Sequence, residues 1–226
     1  MPSLGRLLMC GRYALYGPIK RTPEHDRWFD ELEAFGPRYN VAPTQASPVA
    51  RLAEGKPVLA PLRWGLIPFW AKDPTIGNRL INARAETVAE KPAFRAAFRA
   101  RRCLVPASGF YEWKKAPRGK QPYYIRSRDG SLLAFAGLWE QWQLAGAEPT
   151  LSFTIITTDA NAMMKQLHDR MPVILAPERY HEWLTAKDPR ELLRPCPPEM
   201  LTAYSVSTAV NSPRNDDPAL VEPLPP

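Results

Sequence analysis

At 226 residues with 45% hydrophobic content, the chain is long enough to bury a full core and is most simply a single domain. No apolar run approaches the length of a membrane span, and three cysteines without Cys-x-x-Cys spacing argue against a disulfide framework and a zinc site. Three histidines make a multi-histidine metal cluster an unfavourable reading, and the formal charge of +7 is unevenly placed along the chain.

The opening stretch, Met1 to Leu8, has one arginine and a few leucines and is too short for a signal peptide, so a cytoplasmic location is expected. Cys10 follows Met9. A chain starting at Met9, or one that lost its first nine residues, would present Cys10 as a 1,2-aminothiol able to trap an aldehyde as a thiazolidine. The alternative is a small apolar residue near the start of a first strand. A first helix is expected from Thr22 as N-cap and Pro23 in the first turn, with Trp28, Phe29, Leu32 and Phe35 on one face and Gly36-Pro37 as its stop.

Trp64 to Trp70 crowds aromatics around a glycine and a proline. Core packing explains that crowding, as does a loop whose Phe69 and Trp70 stack on or wedge between bases. Asn82 and Arg84 follow in Ile81–Thr87; the amide could orient a ligand oxygen or the cysteine amine while Arg84 holds a phosphate, or Asn82 could be a turn residue. From Arg79 to Arg102 seven basic residues stand against Glu86 and Glu90, which fits either a solvated helix face or a phosphate-binding surface. A second helix is expected over Pro92 to Arg101, burying Phe94 and Phe98.

Beyond it, strand-like runs cover 103–105, 110–113, 123–125, 133–139, 153–157, 173–175 and 204–206. Two further helices are expected, from about Asp159 to Leu167 and from Pro177 to Leu184. On the strand after Gly109, Glu112 shares a face with Phe110 while Tyr111 and Trp113 point the other way. A closed pocket on that face would raise the Glu112 pKa and suit it to proton transfer; an edge-strand glutamate paired with Lys114 or Lys115 is the alternative. His168, after the expected third helix and beside Asp169, is placed to be a protonated donor or a simple C-cap. The segment from Pro213 to Pro226 reads as an irregular surface tail. Strands outnumber helices and arrive in hairpin order. The fold class is therefore α+β, a single domain with a largely antiparallel, barrel-like sheet core flanked by short helices.

In chain order, MCGRYAL at Met9, RYNVAPTQ at Arg38, RWGLIPFWAKD at Arg63, INARAET at Ile81, RRCLVPASGFYEWKK at Arg101, HDRMPVIL at His168 and VSTAVNSPRND at Val206 resemble the SRAP family of SOS response-associated peptidases and abasic-site processing proteins. KPAFR at Lys91, AGLWE at Ala136 and FTIITTDAN at Phe153 extend the match over residues 9 to 222. The resemblance implies residues 1–8 as an extension, 9–222 as the functional domain and 223–226 as a tail. It also implies binding to single-stranded DNA and a thiazolidine crosslink between the N-terminal Cys10 and the aldehyde of an abasic site. Asn82, Glu112 and His168 would then position the amine or sugar and move protons, Arg12, Arg84 and Arg170 would grip phosphates, and Phe69 and Trp70 would stack or block bases.

That chemistry needs Cys10 at the mature N-terminus, so a misplaced start or self-cleavage of the leader is expected, the former favoured. The same site implies peptidase-type self-processing and a possible AP-lyase activity. Neither cofactor nor metal nor membrane is called for. A cytoplasmic protein is expected, nucleoid-associated if bacterial, and a monomer is the simplest oligomeric state. Two rival readings stay open: a cysteine-nucleophile peptidase acting on protein substrates, and a non-covalent single-strand-binding module.

Overall fold

The computed structural model describes residues 11–17, 20, 22–117 and 119–225; Cys10 lies outside them. In chain order the elements are β1 (Tyr13–Leu15), α1 (Pro23–Phe29), β2 (Arg38–Val41), β3 (Ala46–Ala53), β4 (Lys56–Trp64) and β5 (Asn82–Arg84). There follow α2 (Arg95–Ala100), β6 (Arg102–Ala107), β7 (Gly109–Ala116), β8 (Gly119–Ser127), β9 (Leu133–Trp142) and β10 (Thr150–Asp159). The last are β11 (Arg170–Pro172), α3 (Tyr180–Thr185) and β12 (Leu201–Ser205).

Five strands close on themselves. β4, β3, β6, β9 and β10 pair antiparallel in that order, and β10 returns to β4 in parallel, giving a mixed five-stranded barrel. A second, antiparallel sheet runs β12-β8-β7-β1-β2. The main core lies between barrel and sheet, with Tyr13 against Trp64 (ring centroids 5.2 Å apart) and Phe110 edge-on to Phe135. The sheet's other face packs Tyr111 and Tyr124 against Val206, Val210 and Leu220. The fold is therefore the α+β, largely antiparallel, barrel-containing domain that the strand pattern implies. Among the described residues no helix is long and apolar enough to cross a membrane.

The first helix forms where its signals stand. Thr22 Oγ1 accepts from His25 N, His25 Nδ1 accepts from Thr22 N, and Pro23 occupies the first turn. A 3₁₀ turn, Leu32–Phe35, continues it, and Gly36 ends it at φ +68°. The helices expected over 92–101 and 177–184 are also present, the second beginning with a 3₁₀ turn.

The helix expected over 159–167 is not. Thr157 and Thr158 extend β10 to Asp159, Asn161 Oδ1 accepts from Met164 N, and only a 3₁₀ turn, Met164–Gln166, follows. The run 173–175 lies just past β11; Ile174 makes a single bridge to Phe135. The segment after Pro213 is largely irregular and exposed, as expected, yet it is anchored. Leu220 is buried, and Asp216 accepts from Arg38 Nε, Tyr39 N and Asn40 N.

β3 and β4 form a hairpin through Glu54 and Gly55, both at positive φ, as a two-residue type I′ turn requires. The pair contains Pro48, Pro57 and Pro61. Trp64 N donates to Gln45 O, so alternation makes Pro48 opposite Pro61 a non-hydrogen-bonded rung, where neither missing N–H faces the partner strand.

Candidate active site and strand-binding surface

The antiparallel pairing of β1 with β7 sets Tyr13 opposite Phe110 and Ala14 opposite Gly109, and Tyr111 N donates to Arg12 O at 3.0 Å. Continued by one residue, that register brings Gly11, the neighbour of Cys10, level with Glu112. β7 lies between β8 and β1, so Glu112 is not on an edge strand; it is 3% exposed on the Phe110 face. Lys114 and Lys115 lie exposed further along β7.

Asn82 starts β5, which runs parallel to β10 with Asn82 beside Ile155 and Arg84 beside Thr157. Trp64 fixes the entry to this strand: its buried ring donates through Nε1 to Ile81 O at 2.9 Å. The aromatic run that begins there divides sharply. Trp64, Leu66 and Ile67 are core, whereas Phe69 and Trp70 are 58% and 48% exposed. Within the core half, Gly65 turns the chain at φ +120°; a Cβ there would meet Gly77 O at 2.5 Å.

β11 pairs with the end of β10, setting Arg170 opposite Asp159, so β10 gathers Asn82, Arg84 and the His168 segment at one end of the barrel. His168 Nδ1 accepts from Arg170 N at 3.0 Å, which leaves Nε2 as the ring nitrogen available to a ligand. The single 3₁₀ turn before it aligns too few peptides to make the strong dipole that a full helix would supply.

The arginines occupy different situations. Arg84 is exposed at the end of β5. Arg170 is largely buried and held by Glu86 (2.5 and 2.9 Å), Asp159 Oδ1 (2.6 Å) and Thr157 O (2.8 Å). Burial works to lower its pKa, but the bonds and charges of Glu86 and Asp159 outweigh it and raise the pKa above the ordinary arginine value. Arg12 donates to Asn40 Oδ1 (2.8 Å), Val210 O (2.7 Å) and Asn211 O (3.3 Å), and desolvation lowers its pKa. Of the basic run, Arg102 is not on the surface: it donates to the carbonyls of Phe98, Arg99, Trp183, Leu184 and Ala186, and Arg101 pairs with Glu140 at 2.7 Å.

A cavity of about 470 Å³ opens beside these groups, lined by Gly11, Arg12, Pro43, Ile81, Trp113, Lys120 and Asn211. Two of its walls are the chain neighbours of Asn82 and Glu112. Sequence reasoning assigned no role to Pro43, Trp113, Lys120, Asn211 or Asn40. Asn40 is fully buried and donates to Val210 O, Ser212 O and Asn215 O, which fixes the floor beneath Arg12. Its motif, RYNVAPTQ, and the partner motif VSTAVNSPRND were visible in the sequence, but their mutual contact was not. Beside Pro43, Thr44 adopts φ +74°, a rare conformation for a β-branched residue. Among the described residues no group of three or more His, Cys, Asp or Glu could hold a metal ion.

The profile of the SOS response associated peptidase (SRAP) family matches residues 9–213, and the chain belongs to that family. It is similar to the abasic site processing protein YoqW of Bacillus subtilis (strain 168), 45% identical across 95% of this chain and 99% of that one. The abasic site processing protein HMCES of Xenopus tropicalis is 36% identical, over 84% of this chain and 68% of the relative. A crystal structure from Bacteroides thetaiotaomicron superimposes with a TM-score of 0.75 at 32% identity, covering 82% of this chain and 85% of the other.

Proposed function

We propose that this protein processes abasic sites in single-stranded DNA by capturing them covalently through Cys10. The observation that carries the reading is the cavity at Gly11, walled by the neighbours of Asn82 and Glu112, in a chain whose matched relatives are named abasic site processing proteins.

With Cys10 as the first residue, its neutral amine adds to the C1′ aldehyde of the ring-opened sugar, forming a carbinolamine. Loss of one water gives the imine. The thiol then adds to the imine carbon and its proton passes to nitrogen, closing a thiazolidine. Per lesion, one C–N and one C–S bond form, the C=O is lost and one water leaves. Glu112, buried and level with Gly11, is the group to carry protons through water loss and ring closure. His168, held by Arg170 N, presents Nε2 toward the sugar oxygens, and Asn82 orients the amine or sugar. Arg84 and Arg12 are the phosphate contacts in this reading. Arg170, balanced by two carboxylates, serves it chiefly by fixing His168 and the strand ends. Phe69 and Trp70 supply exposed rings for adjacent bases.

The test uses protein beginning at Cys10 and a strand with one abasic site. A heat-stable adduct, lighter than the sum of its parts by one water, is expected and is lost in Cys10→Ala. An undiminished adduct in Cys10→Ala overturns the proposal. In the same reading peptidase activity is confined to residues preceding Cys10, and AP-lyase cleavage arises from the imine when the thiol is absent; turnover of unrelated peptides would favour the protease alternative instead.

A further inference from the structure

The β7–β8 hairpin carries chemistry that the capture reaction does not use. Its tip reads Trp113-Lys114-Lys115-Ala116-Pro117-Arg118-Gly119-Lys120, with no acidic residue. In the register Lys115 stands directly opposite Lys120, and Trp113 opposite Pro122. Alternation puts Trp113, Lys115 and Lys120 on one face of the hairpin. Like charges on one rung are unfavourable in themselves. Among the described residues, none of Lys114, Lys115 and Lys120 enters an ion pair. Such a pair is relieved by an anion shared between the two ammonium groups.

Trp113 and Lys120 also line the cavity that begins at Gly11. The Trp113 ring is not free to turn: its Nε1 donates to Asn211 Oδ1 at 2.8 Å, and the Asn211 carbonyl is itself bonded by Arg12. A half-buried ring is thus held in place beside two cations that enter no ion pair among the described residues, in continuity with the proposed site of capture. A ring for a base and two cations for a phosphate are the recognition set for one nucleotide of a strand.

We infer that this face of the β7–β8 hairpin, Trp113 with Lys115 and Lys120, is a subsite for the nucleotide next to the lesion on one flank of the DNA. The inference rests on the DNA reading above and adds residues distinct from Phe69 and Trp70, which lie between β4 and β5. Trp113 stacks the base, and the lysine pair neutralises its phosphate.

The experiment measures non-covalent binding of the full chain to a fluorescent single strand with a tetrahydrofuran abasic analogue at its centre, which cannot react. Strands cut back to the analogue on either flank are compared with the intact strand. Lys115→Gln combined with Lys120→Gln should lower the slope of log K against log salt by about 0.7, for the one phosphate the pair neutralises on a single strand. Trp113→Ala should weaken binding about five- to hundredfold, with Trp113→Phe recovering most of it. In both variants, trimming one particular flank should cost no further affinity, while trimming the other costs as much as in the wild type. Variants that bind as tightly as the wild type, or that lose affinity additively with both trims, overturn the subsite. The double lysine variant changes only exposed side chains, so the outcome stands even where Trp113→Ala fails to fold. If the wild-type chain does not bind the strand at all, the DNA reading itself fails.

Discussion

Asp216 does not line the cavity, yet the floor beneath Arg12 depends on it. Its Oδ1 accepts from Tyr39 N (2.5 Å) and Asn40 N (3.0 Å), and its Oδ2 from Arg38 Nε (2.5 Å). Asp216→Ala leaves two adjacent backbone donors without their acceptor and removes a partly exposed ion pair. Hydrogen bonds to a charged acceptor are each worth about 1.5–3 kcal/mol, but two of them share one oxygen and are not additive. The Arg38 pair, about a third exposed, adds no more than about 1 kcal/mol after screening. A net loss of about 2–4 kcal/mol is expected, which for a domain of this size lowers Tm by roughly 5–12 °C. Asp216→Asn keeps a carbonyl at Oδ1 and should lose about half as much. Thermal unfolding followed by circular dichroism reads both, and adduct formation below the transition should also fall, because Asn40 and Arg12 lose their support. A Tm for Asp216→Ala within about 1 °C of wild type, or an asparagine variant no better than alanine, would refute the reasoning.

Glu86 supplies an acid-dependent contribution. Partial burial acts to raise its pKa, but the hydrogen bonds and charge of Arg170 outweigh that and hold it below the ordinary 4.5. A depressed folded pKa gives stability that is present above the unfolded value and lost as pH falls through the folded one. The Tm advantage of wild type over Glu86→Gln should therefore be seen at neutral pH and shrink below about pH 4, which scans across a pH series will measure; an advantage constant down to pH 3 would contradict the pairing. Replacing Phe69 and Trp70 together by alanine should change stability by no more than about 0.5 kcal/mol in urea unfolding, since both rings are largely exposed, while weakening single-strand binding at least about fivefold. Loss of fold in that variant, or unchanged binding, would count against a role in stacking.

Local signals were legible where one segment contains its own partners. Thr22, Pro23 and Gly36 bound a helix because cap, first turn and stop are all read within a few residues. The alternation in β7 correctly separated Glu112 from Tyr111 and Trp113. β3 and β4 lie outside the strand-like runs: each contains proline, a poor local strand signal, and only the register shows that Pro48 and Pro61 share a rung needing no donor. Arg102 was counted with the surface cations because a run of charges says nothing of which one finds five carbonyls. The site was legible as a set of residue types, less so as an arrangement. Asn40, Asn211 and Asp216 acquire meaning only when segments far apart in sequence meet, and that requires the fold.

The Arg12–Val210 bond joins positions 198 residues apart. Translation delivers the first partner near the beginning of synthesis and the second near its end. No nascent or prematurely released fragment can hold the completed cavity floor, whatever residues it already displays at its front. The floor beneath Arg12 is consequently a property of the finished polypeptide. The last part of the chain to be synthesised thus completes a floor that the first part only begins.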